Sequence, residues 1–454
     1  MSNRNGFKHN GSYPNGSGVN GFHINRAGAK ADLSCRIAGI DSINPFWLAS
    51  APPTDKKYNV VRAFEAGWAG AVWKTVGPEP PVINVTSRYG AHFDAGRGIV
   101  GFNNIELISD RPLDVNLREI EECRREWPDR VIIGSMMAPM DEQAWKDIAV
   151  ALANAGVHGI ELNLGCPHGM CERGMGSAIG QVPDFVEQTT RWVREAVNLP
   201  VFTKLTPNIT DILVPAEAAK QGGAHAVSLI NTVNSIVSVD LDAMAPTPTV
   251  DGKGTHGGYC GSAVKPIALN MVAEIARHAE TRDLEISAIG GIGTWRDAAE
   301  FIALGANGLQ VCTAAMLYGF RVVDDMIDGL QAYMDEKGYR TLEDFRGRAI
   351  PNTVDWNQLN MSYDLKAHIS EDKCIDCGRC FIACEDTSHQ AIEITAQEDG
   401  SRRFTVVEED CVGCNLCQHV CPVPDCIDMR PVDNGEAPVT WPEHPLNPQR
   451  QAAE

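Results

Sequence analysis

Two cysteine runs repeat one spacing: Cys374-x2-Cys377-x2-Cys380-x3-Cys384, then Cys411-x2-Cys414-x2-Cys417-x3-Cys421-Pro422. Three close thiolates wrap one face of a cubane, and the fourth ligand comes from the other run, the bacterial ferredoxin pattern for two [4Fe–4S] clusters. One cluster is then expected on Cys374, Cys377, Cys380 and Cys421, the other on Cys411, Cys414, Cys417 and Cys384. Structural zinc asks for two CxxC pairs per site rather than two runs of four. Glu385 stands where Pro often follows the fourth Cys, and Cys426 has no evident ligand role.

A second stretch able to do chemistry runs from Asn163 to Gly176. The apolar segment Val157 to Leu162 reads as a buried strand, and the chain then breaks into Pro and Gly. An amide, Asn163, and a thiol, Cys166, are thereby held on a loop at the end of a rigid element. The competing reading of Cys166 is an inert structural cysteine.

The elements that must position these groups follow from hydrophobic periodicity. Between about 40 and 335, eight short apolar runs end in polar or reactive residues. Phe46 to Ala49 leads into Ser50, Gly70 to Trp73 into Lys74-Thr75, and Val131 to Gly134 into Ser135. Gly159 to Leu162 leads into Asn163, Val201 to Thr203 into Lys204, and Ala226 to Ile230 into Asn231-Thr232. Ile286 to Ile289 leads into Gly290-Gly291, and Gly308 to Val311 into Cys312-Thr313. Intervening stretches such as Asp141 to Ala155 and Val182 to Val197 are amphipathic at helical spacing. Eight such units predict a (β/α)8 TIM barrel over 31–340, with its active site at the C-terminal strand ends. Gly290, Gly291, Cys312 and Thr313 fall where these barrels bind phosphate through backbone N–H groups. Such a barrel without a dinucleotide fold suits FMN. The Gly- and Pro-rich loop 77–103 is expected to cover the mouth, and Gly252–Gly261 to act as a lid or flavin-edge loop, with Gly261 among the cofactor-binding residues. Both also read as ordinary surface loops.

The remaining boundaries are a disordered tail over 1–30, a linker over 341–368, a small α+β ferredoxin-like domain over 369–432 and a C-terminal tail over 433–454. Gly16-x-Gly18-x-x-Gly21 formally matches a dinucleotide fingerprint, but no strand precedes it and no helix follows. The formal charge of −20 argues against nucleic-acid or anionic-membrane surfaces. No apolar run approaches membrane-spanning length and no export signal is evident, so the dense placing of nine of the fifteen cysteines between Cys374 and Cys426 reads as metal ligation in a soluble cytoplasmic protein.

Over about 35 to 430 the sequence resembles the catalytic half of the dihydropyrimidine dehydrogenase family, which in bacteria is a separate subunit. The resemblance is carried by Asn44-Pro45-Phe46, Arg62 to Trp68, Asn104 to Ser109, Glu161 to Leu164 with the Cys166-Pro167-His168-Gly169-Met170 loop, Lys204 to Asn208, Asn231-Thr232 and the cysteine runs. It implies FMN held by Ala49, Lys74, Thr75, Lys204, Gly290, Gly291 and Thr313. It implies a pyrimidine held by Asn104, Glu106, Asn163, Asn231 and Thr232, with Cys166 as general acid. It further implies a partner flavoprotein subunit with FAD, NAD(P)H and more iron–sulfur clusters, in a hetero-oligomer expected to be a heterotetramer. Three positions depart from the family: Gly165 replaces a usual Ser, Cys171 a common Gly, and Cys260 a common Ser.

The chemistry agrees with the residues. Asn side chains match the alternating donors and acceptors of uracil or thymine without adding charge. Reduction of the 5,6 double bond needs a hydride at C6 and a proton at C5, which a neutral thiol can give. Lys204 is suited to stabilise negative charge on the flavin. His168 and Arg173 either position the Cys loop or pair with nearby carboxylates. The competing functions are a dihydroorotate dehydrogenase, which has an FMN barrel and a Cys base, and an electron-transfer subunit whose barrel is a scaffold. The absence of a credible nicotinamide site predicts that the chain cannot use NADH alone.

Overall fold

The computed structural model describes residues 30–96 and 98–451. The expected tail up to residue 29, with its Gly16-x-Gly18-x-x-Gly21 match, lies outside them. The described chain forms two compact units that divide between Thr353 and Val354.

The first unit is a closed barrel of eight parallel strands: β1 (Phe46–Leu48), β2 (Gly70–Val72), β3 (Val131–Met136), β4 (Gly159–Asn163), β5 (Val201–Lys204), β6 (Ala226–Leu229), β7 (Glu285–Ile289) and β8 (Gly308–Val311). Each pairs with its neighbours in sequence, and β8 closes on β1 with Leu309 opposite Phe46. These are the eight apolar runs expected from the sequence. Strands buried on both faces must be apolar almost throughout, which is why they are legible as runs; all six residues of β3 are buried.

The helices between them begin where local chemistry asks. Asp141 caps the helix Glu142–Asn154 by accepting from Ala144 N at 3.1 Å. Pro183 occupies the first turn of Pro183–Ala196, where its missing N–H costs nothing. Their buried faces join Phe64, Trp68, Trp145 and Phe301 in one continuous core.

An N-terminal hairpin, Cys35–Ile37 with Ile40–Ser42, supplies Ile37 and Ile40 to an apolar cluster with Trp47, Val131, Phe202 and Ala226 near the strands' N-terminal ends. At that end a hydrogen-bonding device recurs. His158, just before β4, donates its N–H to Ile132 O and accepts the Ile132 N–H at Nδ1 (3.0 Å). His225 does the same with Val201 before β6, and Asn307 with Ile286 before β8.

The two expected loops at the mouth are in fact paired with each other. Strands Tyr89–Phe93, Ile99–Asn104, Gly257–Cys260 and Val233–Ser235 form one antiparallel sheet. Its glycines hide the strand pattern. A Cβ at Gly101 would lie 2.5 Å from the Tyr259 ring, and one at Gly258 2.2 Å from Thr232 Oγ1. Gly is needed here for close approach rather than for a turn.

The stretch read as a linker divides between the units. Leu342 and Phe345 are buried in the barrel core, whereas Asp364–Ile369 pairs with Ile427–Val432 in the second unit. The expected C-terminal tail also belongs to that unit, where Trp441 packs against Trp356 at 5.8 Å. The second unit repeats strand, cysteine run, short helix and strand. Asp364–Ile369, Arg379–Glu385 and Ile392–Ala396 make one half; Arg402–Val406, Leu416–Val420 and Ile427–Val432 make the other. Positive φ recurs at Asp376 and Gly378 in the first run and at Gly413 and Asn415 in the second, so the repeated spacing reappears as a repeated backbone.

Candidate active site and cluster cavities

A cavity of about 330 Å³ opens at the C-terminal ends of the strands. Ala49, Lys74, Thr75, Asn104, Glu106, Asn163, Cys166, Lys204, Asn231, Thr232, Gly261, Gly290, Gly291, Cys312 and Thr313 all line it. Every residue assigned from the sequence to the catalytic, pyrimidine or cofactor site is therefore brought to one place, from positions as far apart as Ala49 and Thr313, whereas Ser135, Gly165, Cys171 and Arg173 do not line it.

The amides form a connected chain. Ser135 Oγ lies 2.9 Å from Thr75 Oγ1, which accepts from Asn163 Nδ2 at 2.9 Å. Asn163 Oδ1 accepts from Asn231 Nδ2 (2.8 Å) and Gly165 N (3.3 Å), and Asn231 Oδ1 accepts from Thr232 N (2.8 Å). Both lone pairs of Asn163 are thus used, which fixes its orientation and leaves one of its N–H donors for a ligand. On the covering sheet, Asn104 Nδ2 donates to Gly258 O at 2.9 Å, so its carbonyl oxygen remains available.

Cys166 is buried beside Leu107, Ile108, Met137 and Met170. Its Sγ lies 3.5 Å from His168 O. Burial pushes the thiol up to about 11, so it is neutral near pH 7. Among the described residues His168 makes no ion pair; its Nε2 meets Glu106 O at 3.0 Å, tying the Cys loop to the segment that follows the covering strand Ile99–Asn104. A carbonyl oxygen only accepts, so Nε2 carries the proton and Nδ1, buried without a partner, is a bare acceptor. Burial holds the ring's pKa below its ordinary value and keeps it neutral. Cys171 donates to Pro167 O at 3.0 Å. Arg173 is exposed.

The charged residues are paired. Lys74 Nζ lies 2.5 Å from Glu106 Oε1, and Glu106 also meets Arg88 at 3.4 Å and the Tyr89 hydroxyl. Lys204 Nζ faces Glu161 Oε1 at 3.4 Å. Glu161 did not stand out in the sequence because it lies within an apolar run. The available signal was its spacing: two residues before Asn163 on a strand, it must point to the same side. Gln310, Tyr89 and Tyr259 were missed likewise.

Gly290 and Gly291 have φ of +128° and +76°. A Cβ at Gly291 would lie 2.9 Å from Lys265 N and 3.0 Å from Gly261 O. This cradle admits only glycine, and the first-turn N–H groups of the helix Thr313–Tyr318 have no partner within that helix. The residues fit a phosphate-bearing flavin. Cys260 and Cys312 line the same cavity, both with burial-raised pKa values, Cys312 at about 12.

In the second unit the cysteines line two cavities. Cys374, Cys377, Cys380 and Cys421 line one, together with Cys426; Cys384, Cys411, Cys414 and Cys417 line the other. This is the interlocked grouping expected from the spacing. Among the described residues no three His, Cys, Asp or Glu converge as they would on a single ion. Thiols set apart around a cavity fit a cubane better than zinc.

Comparison with known proteins adds to this. A family model described as dihydroorotate dehydrogenase matches residues 32–334, and a 4Fe-4S dicluster domain model matches 367–429. The chain is similar to the NAD-dependent dihydropyrimidine dehydrogenase subunit PreA of Escherichia coli (strain K12), 41% identical over 421 residues, 91% of this chain and 98% of that protein. It is 40% identical over 333 residues to the chloroplastic dihydropyrimidine dehydrogenase (NADP(+)) of Arabidopsis thaliana, covering 71% of this chain and 78% of that protein. It is 35% identical over 327 residues to the catalytic subunit of dihydroorotate dehydrogenase B (NAD(+)) of Thermococcus kodakarensis, covering 70% and 99%.

Proposed function

The chain belongs to the dihydroorotate dehydrogenase family of oxidoreductases, among its dihydropyrimidine dehydrogenase members with a 4Fe-4S dicluster domain, and from that premise we propose that it reversibly reduces the 5,6 double bond of uracil and thymine. One observation carries the choice of a neutral pyrimidine. The cations that line the cavity, Lys74 and Lys204, each already face a carboxylate, Glu106 and Glu161, while the connected donors and acceptors are the uncharged Asn163, Asn231 and Asn104. Orotate would need a cation for its own carboxylate, and none of those lining the cavity among the described residues is left over.

FMN would suit the cavity: Gly261, Gly290, Gly291, Cys312 and Thr313 would hold its phosphate, and Ala49, Lys74, Thr75 and Lys204 would hold its ring. When bound and reduced it supplies the hydride for C6. The free N–H of Asn163 and the free carbonyl of Asn104 hold the pyrimidine edge, with Asn231 and Thr232 orienting them. Cys166 gives its thiol proton to C5, and the burial that keeps it protonated also excludes water as a competing donor. The reverse reaction returns that proton to the sulfur.

The two cysteine cavities are suited to two [4Fe–4S] clusters, which would pass electrons singly from a partner subunit that oxidises NAD(P)H at FAD. The subunit name of the Escherichia coli relative supports such a partner.

The test is anaerobic. Chemically reduced protein is mixed with uracil and, in parallel, with orotate, and the flavin absorbance is followed. Rapid reoxidation by uracil alone is expected. Reoxidation by orotate alone would assign the chain to dihydroorotate chemistry instead.

A further inference from the structure

Behind the cavity floor lies a polar layer inside an otherwise apolar barrel. Glu161 on β4 is completely buried. Its Oε2 accepts from Gln310 Nε2 at 2.9 Å, and the same amide reaches Ser287 Oγ at 3.0 Å and Ser228 Oγ at 3.3 Å. Its Oε1 has no hydrogen-bond partner; the nearest cation is Lys204 Nζ, at 3.4 Å. Lys204 and Gln310 line the cavity, whereas Glu161 stands behind them.

A buried carboxylate is costly unless a cation balances it. Here the balance is incomplete by design of the geometry. Gln310 satisfies one oxygen, and the other sees Lys204 just beyond good hydrogen-bonding alignment. The ammonium is therefore divided between a fixed negative charge behind it and whatever occupies the cavity in front. We propose that Glu161 is a positioning residue that sets the reduction potential of the flavin through Lys204, an inference that rests on the FMN reading above. With the Glu161 carboxylate 3.4 Å behind it, the ammonium is already compensated, so the negative charge that reduction adds at the cavity floor is less stabilised. The bound flavin is thereby held at a lower potential, as a stronger hydride donor. In a low-dielectric site a charge this close to Lys204 cannot be screened by solvent.

The test uses the full chain, loaded with FMN, and the variants Glu161→Gln and Glu161→Asp. The readout is the midpoint potential of the bound flavin, from anaerobic spectroelectrochemical titration. Glu161→Gln keeps the shape and Gln310's partner but removes the charge, and its potential is expected to shift positive. Uracil-driven reoxidation slows while flavin reduction by dihydrouracil does not. Glu161→Asp draws the charge back by one methylene and is expected to shift the potential the same way by less; it carries the test if Glu161→Gln does not fold. An unchanged or more negative potential in a variant that binds FMN overturns the inference. Failure of the wild-type chain to take up FMN would instead overturn the functional reading on which it rests.

Discussion

Asn231 occupies the space that a side chain at residue 165 would need: a Cβ built on Gly165 would lie 2.4 Å from Asn231 Cβ and 2.6 Å from its Nδ2. The glycine at this position is therefore coupled to where Asn231 stands, and through the 2.8 Å bond from Asn231 Nδ2 to the orientation of Asn163. Gly165→Ser should push Asn231 away and leave Asn163 Oδ1 short of a donor. Uracil binding is expected to weaken about 10–100-fold, the cost of one unsatisfied buried polar group. Titration of the oxidised protein with uracil, read from the flavin spectrum, checks this.

Replacing Cys166 with Ala removes the proton donor and leaves the amides in place. Uracil should still bind, while the reoxidation rate of the reduced protein falls about 10²–10⁴-fold. A pure electron carrier would lose nothing. Because burial raises the thiol to about 11, the wild-type rate should show no loss from thiol ionisation between about pH 6 and pH 10. Stopped-flow traces across that range decide it.

His158 is expected to make the barrel acid-sensitive. Burial, reinforced by the nearby Arg124 charge, lowers its pKa from 6.5 to about 4. The folded state needs the neutral ring, whose Nδ1 accepts the Ile132 N–H. An unfolded chain takes up the proton more readily, so this contribution is complete above 6.5 and is lost as pH falls toward 4. Asn307 makes the same bond to Ile286 without titrating. His158→Asn should therefore narrow the difference in Tm between about pH 7 and pH 5 relative to wild type.

The interlocked cavities give opposite expectations for two cysteines. Cys384→Ala should remove the cluster held by Cys411, Cys414 and Cys417 and spare the other, leaving one reducible EPR signal of two. Cys426→Ala should retain about eight iron atoms per chain, because its cavity already has four other thiols. Iron analysis with EPR of the dithionite-reduced protein distinguishes them.

Much of this architecture was legible because buried parallel strands announce themselves. Each barrel strand is an apolar run, all but Val131–Met136 lead into a residue that lines the cavity, and the cysteine spacing carries its own geometry. Other features were hidden for stated reasons. The covering sheet is masked by Gly101, Gly257 and Gly258, which face Tyr259, Asn103 and Thr232 across the pairing and so look like loop. Glu161 is obscured by the apolar residues around it. The Gly165–Asn231 relation joins positions that sequence keeps apart and only the barrel brings together.

The cover over the mouth combines a hairpin that follows β2 with strands that follow β6. Ribosomal synthesis delivers these pieces more than a hundred residues apart, and Gly290, Gly291 and Thr313, which line the same cavity, emerge later still. The cavity thus draws its lining from nearly the whole length of the barrel sequence, and a nascent chain cut short before Thr313 has all eight strands and the covering sheet but an incomplete cavity wall.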